Sequence, residues 1–200
     1  MLGANQGLWE SRALIEAQAK GCRLVVVDPN FTETAQKADE WVPIRPGTDG
    51  AMALAMCRVI IDEKLYDEAF VNQYCEGFNG FRDHLHDKGY TPEWAEEICG
   101  IEAATITRLA REFATTKPAM SAIFKGSGYY TNGHDAGRAC YILDAICGEV
   151  DKPGNIHLKD WAPLGAPVEI PADAMRQPEK DPLHIAMGYA LAPDLPNSRL

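Results

Sequence analysis

The chain has 200 residues, of which 46% are hydrophobic and 24% charged, so it can bury a core. Its formal net charge of -10 at pH 7 argues against nonspecific binding to nucleic acid or to an anionic membrane, because a negative surface repels phosphates. No apolar run approaches the roughly 18 residues of a membrane-spanning helix, and residues 1–10 lack the basic and apolar regions of a signal peptide. We therefore expect no nucleic acid partner and no direct membrane insertion, and the compartment stays undetermined.

The cysteines are not spaced like the ligands of a metal site. No two of them form a CxxC pair, and the nearest two are seven residues apart on one predicted helix. Reduced thiols buried among apolar side chains are the expected state, because a disulfide framework is typical of smaller secreted chains. The six cysteines are Cys22, Cys57, Cys75, Cys99, Cys140 and Cys147.

The first third of the chain alternates between helical and strand patterns. Residues 8–20 carry apolar groups at helical spacing and end at Gly21, which predicts a helix with a glycine stop. Residues 22–27 form a short valine-rich run ended by Asp28-Pro29, typical of a parallel strand covered on both faces. A helix over 32–38, a strand over 41–44 and a helix from Thr48 or Asp49 to about Glu63 are predicted next.

The rest of the chain begins with a helical insertion. Helices are predicted over 67–74, 78–86, 91–97 and 101–113, with Thr91 as a cap and Pro92 at the first helical position of the third. Residues 117–125 have the pattern of another buried strand, and a glycine-bearing turn at 126–133 and a helix over 135–147 follow. From Pro153 onward prolines recur with little periodicity, which indicates extended or irregular chain.

These patterns predict an α/β fold, with a parallel sheet covered by helices on both faces, a helical insertion at about 65–115 and an extended C-terminal tail. We expect an α/β domain over 1–156 and an irregular, proline-rich linker or tail over 157–200. Ligands of such folds lie beyond the carboxyl ends of the strands, where loops and helix N-termini present backbone donors.

Three loops are candidates for that position. Residues 3–7 (GANQG) precede a helix and either let a diphosphate approach the backbone or form a plain turn. Asp28 at a strand end either accepts hydrogen bonds from a ribose or a base, or forms a turn or a helix cap. In residues 45–50 (RPGTDG), Asp49 either accepts paired donors from a guanine edge or caps the next helix. No GxGxxG or Walker sequence decides between these alternatives.

Longer motifs, in their order and spacing, are more specific. GAN is followed by KGCRLVVVDPNFTETAQKADEWVPIRPGTDGAMALAM, by LYDEAFVNQYCEGF, by YTPEWAEEICGIEAATITRLAREFA and by KGSGYYTNGHDAGRACYILDAICGEVDKPGN. Together they cover roughly residues 1–156 and closely resemble the central region of the catalytic subunit in the dimethyl sulfoxide reductase family of molybdopterin oxidoreductases. Members with different chemistries share the DP and PGTD motifs, so the resemblance indicates a cofactor and not a reaction.

The resemblance implies a Rossmann-like domain that holds one of two molybdopterin guanine dinucleotides carrying molybdenum or tungsten. It places Gly3 and Asn5 near the diphosphate or pterin, and Asp28 and Pro29 near the guanosine. It places Gly47, Thr48 and Asp49 around the guanine, with Asp49 as the strongest candidate. The 126–133 loop resembles the one that approaches the pterin and metal. Asn30, where many members carry arginine, departs from the pattern, as does the GANQG loop, where a proline commonly follows the asparagine. The candidate cofactor-binding residues are Gly3, Asn5, Asp28, Pro29, Arg45, Gly47, Thr48, Asp49, Gly126, Gly128 and Asn132.

The resemblance also implies neighbours that are not recognisable in this sequence: an N-terminal domain with a cysteine-ligated iron–sulfur cluster and a final domain that completes cofactor binding. We therefore expect a fragment of a catalytic subunit for metal-centred redox or oxygen-atom transfer, inactive alone, without a catalytic residue or metal ligand of its own. Its expected partners are the remaining domains of the subunit and an iron–sulfur electron-transfer subunit. The alternatives are a standalone nucleotide-binding module and an inactive truncated product.

Overall fold

The structure is a computed structural model that describes residues 8–123 and 125–155, which all fall within one compact unit. The candidate residues Gly3 and Asn5 and the expected tail over 157–200 lie outside the described residues. Within the described ranges no helix is long and apolar enough to cross a bilayer.

The described residues form a helix-rich α/β arrangement with a small parallel sheet. In chain order its elements are α1 (Leu8–Ala19), β1 (Val25–Val27), α2 (Glu33–Lys37), β2 (Glu40–Val42), α3 (Asp49–Asp62), α4 (Glu68–Tyr74), α5 (Phe78–Asp87), α6 (Pro92–Cys99), α7 (Ala103–Thr115), α8 (Lys125–Gly128) and α9 (Gly133–Ile146). The α/β class and the helical insertion, here α4 to α7, are confirmed.

The sheet pairs β1 with β2 in parallel, with Val26 opposite Trp41. The predicted two-sided burial of the first strand is wrong, since all three residues of β1 are only half-buried. A valine-rich run predicts a buried strand. It does not predict how much of each face of the strand is covered by other elements. Both strands end at the same edge of the sheet, where the backbone N–H of Asp28 donates to the carbonyl oxygen of Val42 (3.2 Å).

Helix α3 is the centre of the packing. It contacts α5, α6, α7 and α9, and Cys57 and Ile60 on it are fully buried. Its sequence contains three alanines and two methionines, which favour helix, and it ends just before Lys64, which adopts a left-handed φ of 55°. Because α3 begins at the 45–49 loop, the core fixes the position of that candidate site loop.

The strand predicted over 117–125 is wrong: its described residues pair with no strand, and α8 begins at Lys125. A side chain on α9 holds this segment instead. The buried carboxylate of Asp144 accepts hydrogen bonds from the backbone N–H of Ser121 (2.8 Å) and from its hydroxyl. An apolar run therefore satisfies its backbone here through a buried side chain and not through a sheet ladder.

Candidate functional site

Asp28 closes a turn at the carboxyl end of β1. Its Oδ1 accepts from the backbone N–H of Asn30 (2.7 Å), and its carbonyl oxygen accepts from the indole N–H of Trp41 (2.9 Å). The Trp41 ring also packs against Phe31, with 5.0 Å between ring centroids. The turn-forming alternative for Asp28 thus has direct support, and its contact with a guanosine, like that of Pro29, stays a prediction.

The 45–49 loop joins β2 to α3 and begins three residues after the same sheet edge. Gly47 has a φ of +77°, a left-handed conformation that glycine adopts without a steric penalty. The Thr48 hydroxyl donates to the Arg45 carbonyl oxygen (2.6 Å) and does not cap α3. The first turn of this 14-residue helix therefore lacks a side-chain cap.

Arg45, the first residue of this loop, makes hydrogen bonds to the end of α6. Its Nη1 donates to the carbonyl oxygens of Glu97 (2.6 Å) and Ile98 (3.2 Å) near the end of α6. A cation at a helix C-terminus is stabilised by the unpaired carbonyls of the last turn. Arg45 thus links the loop to α6, and its contact with the cofactor remains a prediction.

The 126–133 loop meets the 45–49 loop directly. The Asn132 amide Nδ2 donates to the Gly47 carbonyl oxygen (3.1 Å). The Tyr130 ring lies over Gly47, since a Cβ placed on that glycine would be 3.1 Å from Cγ and Cδ1 of the ring. Residues far apart in sequence, predicted separately as guanine and pterin contacts, therefore form one structural unit.

Glycines also pack closely inside the second loop. A Cβ on Gly133, at the start of α9, would lie 2.3 Å from the carbonyl oxygen of Gly128. A side chain at position 133 is therefore incompatible with this turn. Gly126 and Gly128 lie in α8, and their predicted contacts with the pterin region stay predictions.

An open cleft of about 380 Å³ lies where the N-termini of α3 and α9 approach the side of α6. Its walls are mostly apolar, and Asn132 and Asp135 provide polar groups. Neither helix has a side-chain cap, so two sets of first-turn N–H groups lie beside it. It is lined by Gly47, Thr48, Gly50, Ala51, Leu54, Trp94, Ile98, Asn132, Asp135 and Ala136.

Asp49 does not line this cleft. It is half-buried at the first position of α3, close enough to Cys140 on α9 to influence that thiol. Burial, reinforced by the negative charges of Asp49 and Asp144, raises the pKa of Cys140 to about 12. Asp49 therefore stands in sequence between Thr48 and Gly50, which both line the cleft.

Sequence reasoning missed the apolar wall that α6 contributes. Trp94 and Ile98 stand four residues apart on α6 and line the cleft, and Ile98 is exposed. Apolar residues at this spacing normally face the core, so the pattern alone could not distinguish a cleft wall from buried packing. Asp135, at the start of the helix predicted over 135–147, also lines the cleft and was not among the candidate site residues.

Comparison with known proteins identifies the family. The family model described as Molybdopterin oxidoreductase matches residues 5–182, so the chain belongs to the molybdopterin oxidoreductase family. Membership implies a molybdopterin cofactor with its metal. The earlier resemblance to this family is thereby confirmed.

Individual relatives cover several reactions. Dimethyl sulfoxide reductase DmsA of Escherichia coli K12 is 38% identical over 69% of this chain and 19% of its own length. Thiosulfate reductase molybdopterin-containing subunit PhsA of Salmonella typhimurium is 36% identical over 75% of this chain and 20% of its own. Among solved structures, acetylene hydratase from Pelobacter acetylenicus matches with a TM-score of 0.65 and 40% identity, covering 70% of this chain and 19% of that one. The chain thus spans about a fifth of the length of the curated relatives it matches.

Proposed function

We propose that this chain binds the guanosine end of a molybdopterin guanine dinucleotide within the catalytic subunit of a molybdenum- or tungsten-dependent oxidoreductase. The observation that carries the proposal is the junction of the 45–49 and 126–133 loops through Gly47 and Asn132. Both loops were assigned to this cofactor by their resemblance to the family, and the fold brings them into contact beside the carboxyl ends of the parallel strands.

The chemistry of the junction fits a guanine. Its Watson–Crick edge presents adjacent N–H donors, which one carboxylate can accept together, whereas adenine has no such pair. Asp49 offers that carboxylate from a half-buried position, where water competes less for it. The uncapped first turn of α3 adds backbone N–H groups for an acceptor such as the base carbonyl or a phosphate oxygen.

The remaining candidate residues would hold other parts of the ligand. Asp28, at the shared sheet edge, would accept from the ribose hydroxyls, and Arg45 and Thr48 would shape the loop. When bound, the cofactor supplies a metal centre for two-electron or oxygen-atom chemistry, which this chain's residues position and do not perform. Reductases and a hydratase stand among the relatives, so the substrate and reaction depend on the rest of the subunit.

Calorimetric titration of the chain with guanosine monophosphate (GMP) and adenosine monophosphate (AMP) tests the proposal. We expect GMP to bind more tightly than AMP. The isosteric Asp49→Asn variant should bind GMP about tenfold or more weakly, because it removes a charged acceptor. The matched control is Asp83→Asn, at an exposed carboxylate on α5 that pairs with Arg82.

Cofactor loading separates the candidate roles. Chain produced in a host that makes the dinucleotide should co-purify with molybdopterin and release GMP on acid hydrolysis. Equal affinity for GMP and AMP together with no co-purified pterin would overturn the proposal. Selective GMP binding without pterin would instead favour the standalone nucleotide-binding module.

A further inference from the structure

We propose that Asn132 is a positioning residue that sets the guanine selectivity of Asp49 by fixing the Gly47 peptide, and not a direct ligand of the cofactor. This inference rests on the proposed function and assigns a different role to a residue of the same site. Its basis is the hydrogen bond from Asn132 Nδ2 to the Gly47 carbonyl oxygen (3.1 Å).

The Gly47 peptide is the point at which the loop turns into α3. Gly47 occupies the left-handed region (φ +77°), and two residues later Asp49 begins the helix. A rotation of the Gly47 peptide would therefore redirect the backbone that carries the Asp49 carboxylate. Glycine resists such a rotation less than any other residue, so the restraint has to come from neighbouring groups.

Within its own loop this peptide is held by the Thr48 N–H, which donates to the Arg45 carbonyl oxygen (3.3 Å), and two groups of the 126–133 loop add to the restraint. The Tyr130 ring lies so close to Gly47 that a Cβ there would be 3.1 Å from its Cγ and Cδ1, and the Asn132 amide donates to the Gly47 carbonyl oxygen. Asn132 is itself fixed, because it is the N-cap residue of α9 and its carbonyl oxygen accepts from the N–H of Ala136 (2.9 Å). The hydrogen bond from Asn132 to Gly47 thus connects the 45–49 loop to α9, a 14-residue helix packed against α3.

The use of the Asn132 side chain also argues for positioning. An asparagine N-cap commonly accepts from the first-turn N–H groups of its own helix, yet Asn132 makes no such side-chain bond. Its amide bonds to Gly47 instead, and the first turn of α9 stays uncapped. A side-chain cap within α9 is thus replaced by a hydrogen bond that joins the 126–133 loop to the 45–49 loop.

Substitutions at position 132, measured by GMP and AMP titration, test the assignment. Asn132→Ala removes the donor, and we expect GMP affinity to fall about 3- to 10-fold while AMP affinity changes little. Hydrogen exchange of the 45–50 backbone should become faster in this variant without any ligand. The exposed Asn79→Ala on α5 is the matched control.

A second variant separates loss of the donor from loss of side-chain packing. The isosteric Asn132→Asp variant keeps the shape of the side chain, but at neutral pH its carboxylate cannot donate to the Gly47 carbonyl oxygen. At pH 7 this variant should therefore lose GMP selectivity as Asn132→Ala does, whereas the control Asn79→Asp should keep it. If both variants keep wild-type selectivity and exchange while Asp49→Asn loses GMP binding, the role of Asn132 is refuted and the proposed function stands. If the wild type binds GMP no better than AMP, the proposed function fails. Independently of that result, unchanged hydrogen exchange at 45–50 in Asn132→Ala would refute the restraint of the Gly47 peptide by Asn132.

Discussion

Gly50 on α3 and Ala136 on α9 lie so close that a Cβ on Gly50 would be 3.1 Å from the Cα of Ala136. The two helices therefore meet backbone to backbone at the end that carries the site. Both residues also line the cleft. A small residue at position 50 is thus required for the close approach of α3 and α9.

Gly50→Val should destabilise the protein by about 1–3 kcal/mol, because a branched side chain would push α9 away from α3. Gly80, on α5, is the matched control, since a Cβ there meets nothing within 4 Å. The same substitution there, Gly80→Val, should be neutral or stabilising by up to about 0.5 kcal/mol. Chemical denaturation measures both, and equal effects of the two substitutions would contradict this account of the helix contact.

Asp144 should make stability depend on pH. Burial raises the pKa of its carboxyl above the ordinary value of 3.8, although the hydrogen bonds from Ser121 oppose the shift. The folded state therefore holds this proton more tightly than the unfolded state, so the associated stability is complete below the ordinary pKa and is lost as pH rises through the folded pKa.

The Asp144→Asn variant lacks this titration, and its amide can still accept from the Ser121 N–H and donate to the Ser121 hydroxyl. As pH rises from about 4 through the folded pKa of Asp144, its free energy of unfolding should rise relative to that of the wild type. Asp144→Ala should instead lose about 1–3 kcal/mol, because the Ser121 N–H loses its acceptor, although the Ser121 hydroxyl can still donate to the Cys140 carbonyl oxygen. Parallel pH profiles for wild type and Asp144→Asn would show that the carboxyl is not the titrating group.

The cysteines should differ sharply in reactivity. Burial raises the pKa of Cys140 and of Cys147 to about 12 and that of Cys57 well above its ordinary value, whereas Cys22 is exposed. Iodoacetamide should therefore label Cys22 first in the native protein and reach the buried thiols only on unfolding. Peptide mass spectrometry measures the order, and the Cys22→Ser variant should lose the fast phase. Equally fast labelling of Cys57 would contradict its burial.

Substitutions of Arg45 distinguish a role in the stability of the fold from a direct contact with the cofactor. Arg45→Met removes the hydrogen bonds to the Glu97 and Ile98 carbonyls and should cost roughly 1 kcal/mol of unfolding free energy. Arg45→Lys keeps a charge near the end of α6 and should lose less. If stability is unchanged and the amount of co-purified cofactor falls instead, Arg45 acts mainly on the ligand.

The helices could be predicted closely because their end signals are local. Thr32, Asp67 and Thr91 were each placed at a helix start, and each accepts a hydrogen bond from the backbone N–H three residues later. Thr48 resembled them in sequence but uses its hydroxyl on Arg45. A cap residue with a nearby competing carbonyl cannot be resolved from spacing alone.

The strand over 117–125 and the cleft depend on distant partners, and this is why sequence reasoning failed there. An apolar run predicts burial, but only Asp144, more than twenty residues away, shows what holds Ser121. Likewise, nothing local in the sequence around Asn132 indicates that its amide reaches Gly47, 85 positions earlier. Family resemblance had marked both loops without indicating that they touch.

The placement of α3 constrains how this protein can vary. The helix starts at Asp49 in the candidate site and continues through the most buried part of the molecule to Ile61. In a library of α3 variants selected only for cofactor retention, a variant that binds the cofactor poorly and a variant that does not fold would both be lost, and the selection would not distinguish them. The solvent-facing positions of α5 would tolerate change under the same selection, so a family alignment should show a slowly changing helix beside a rapidly changing one.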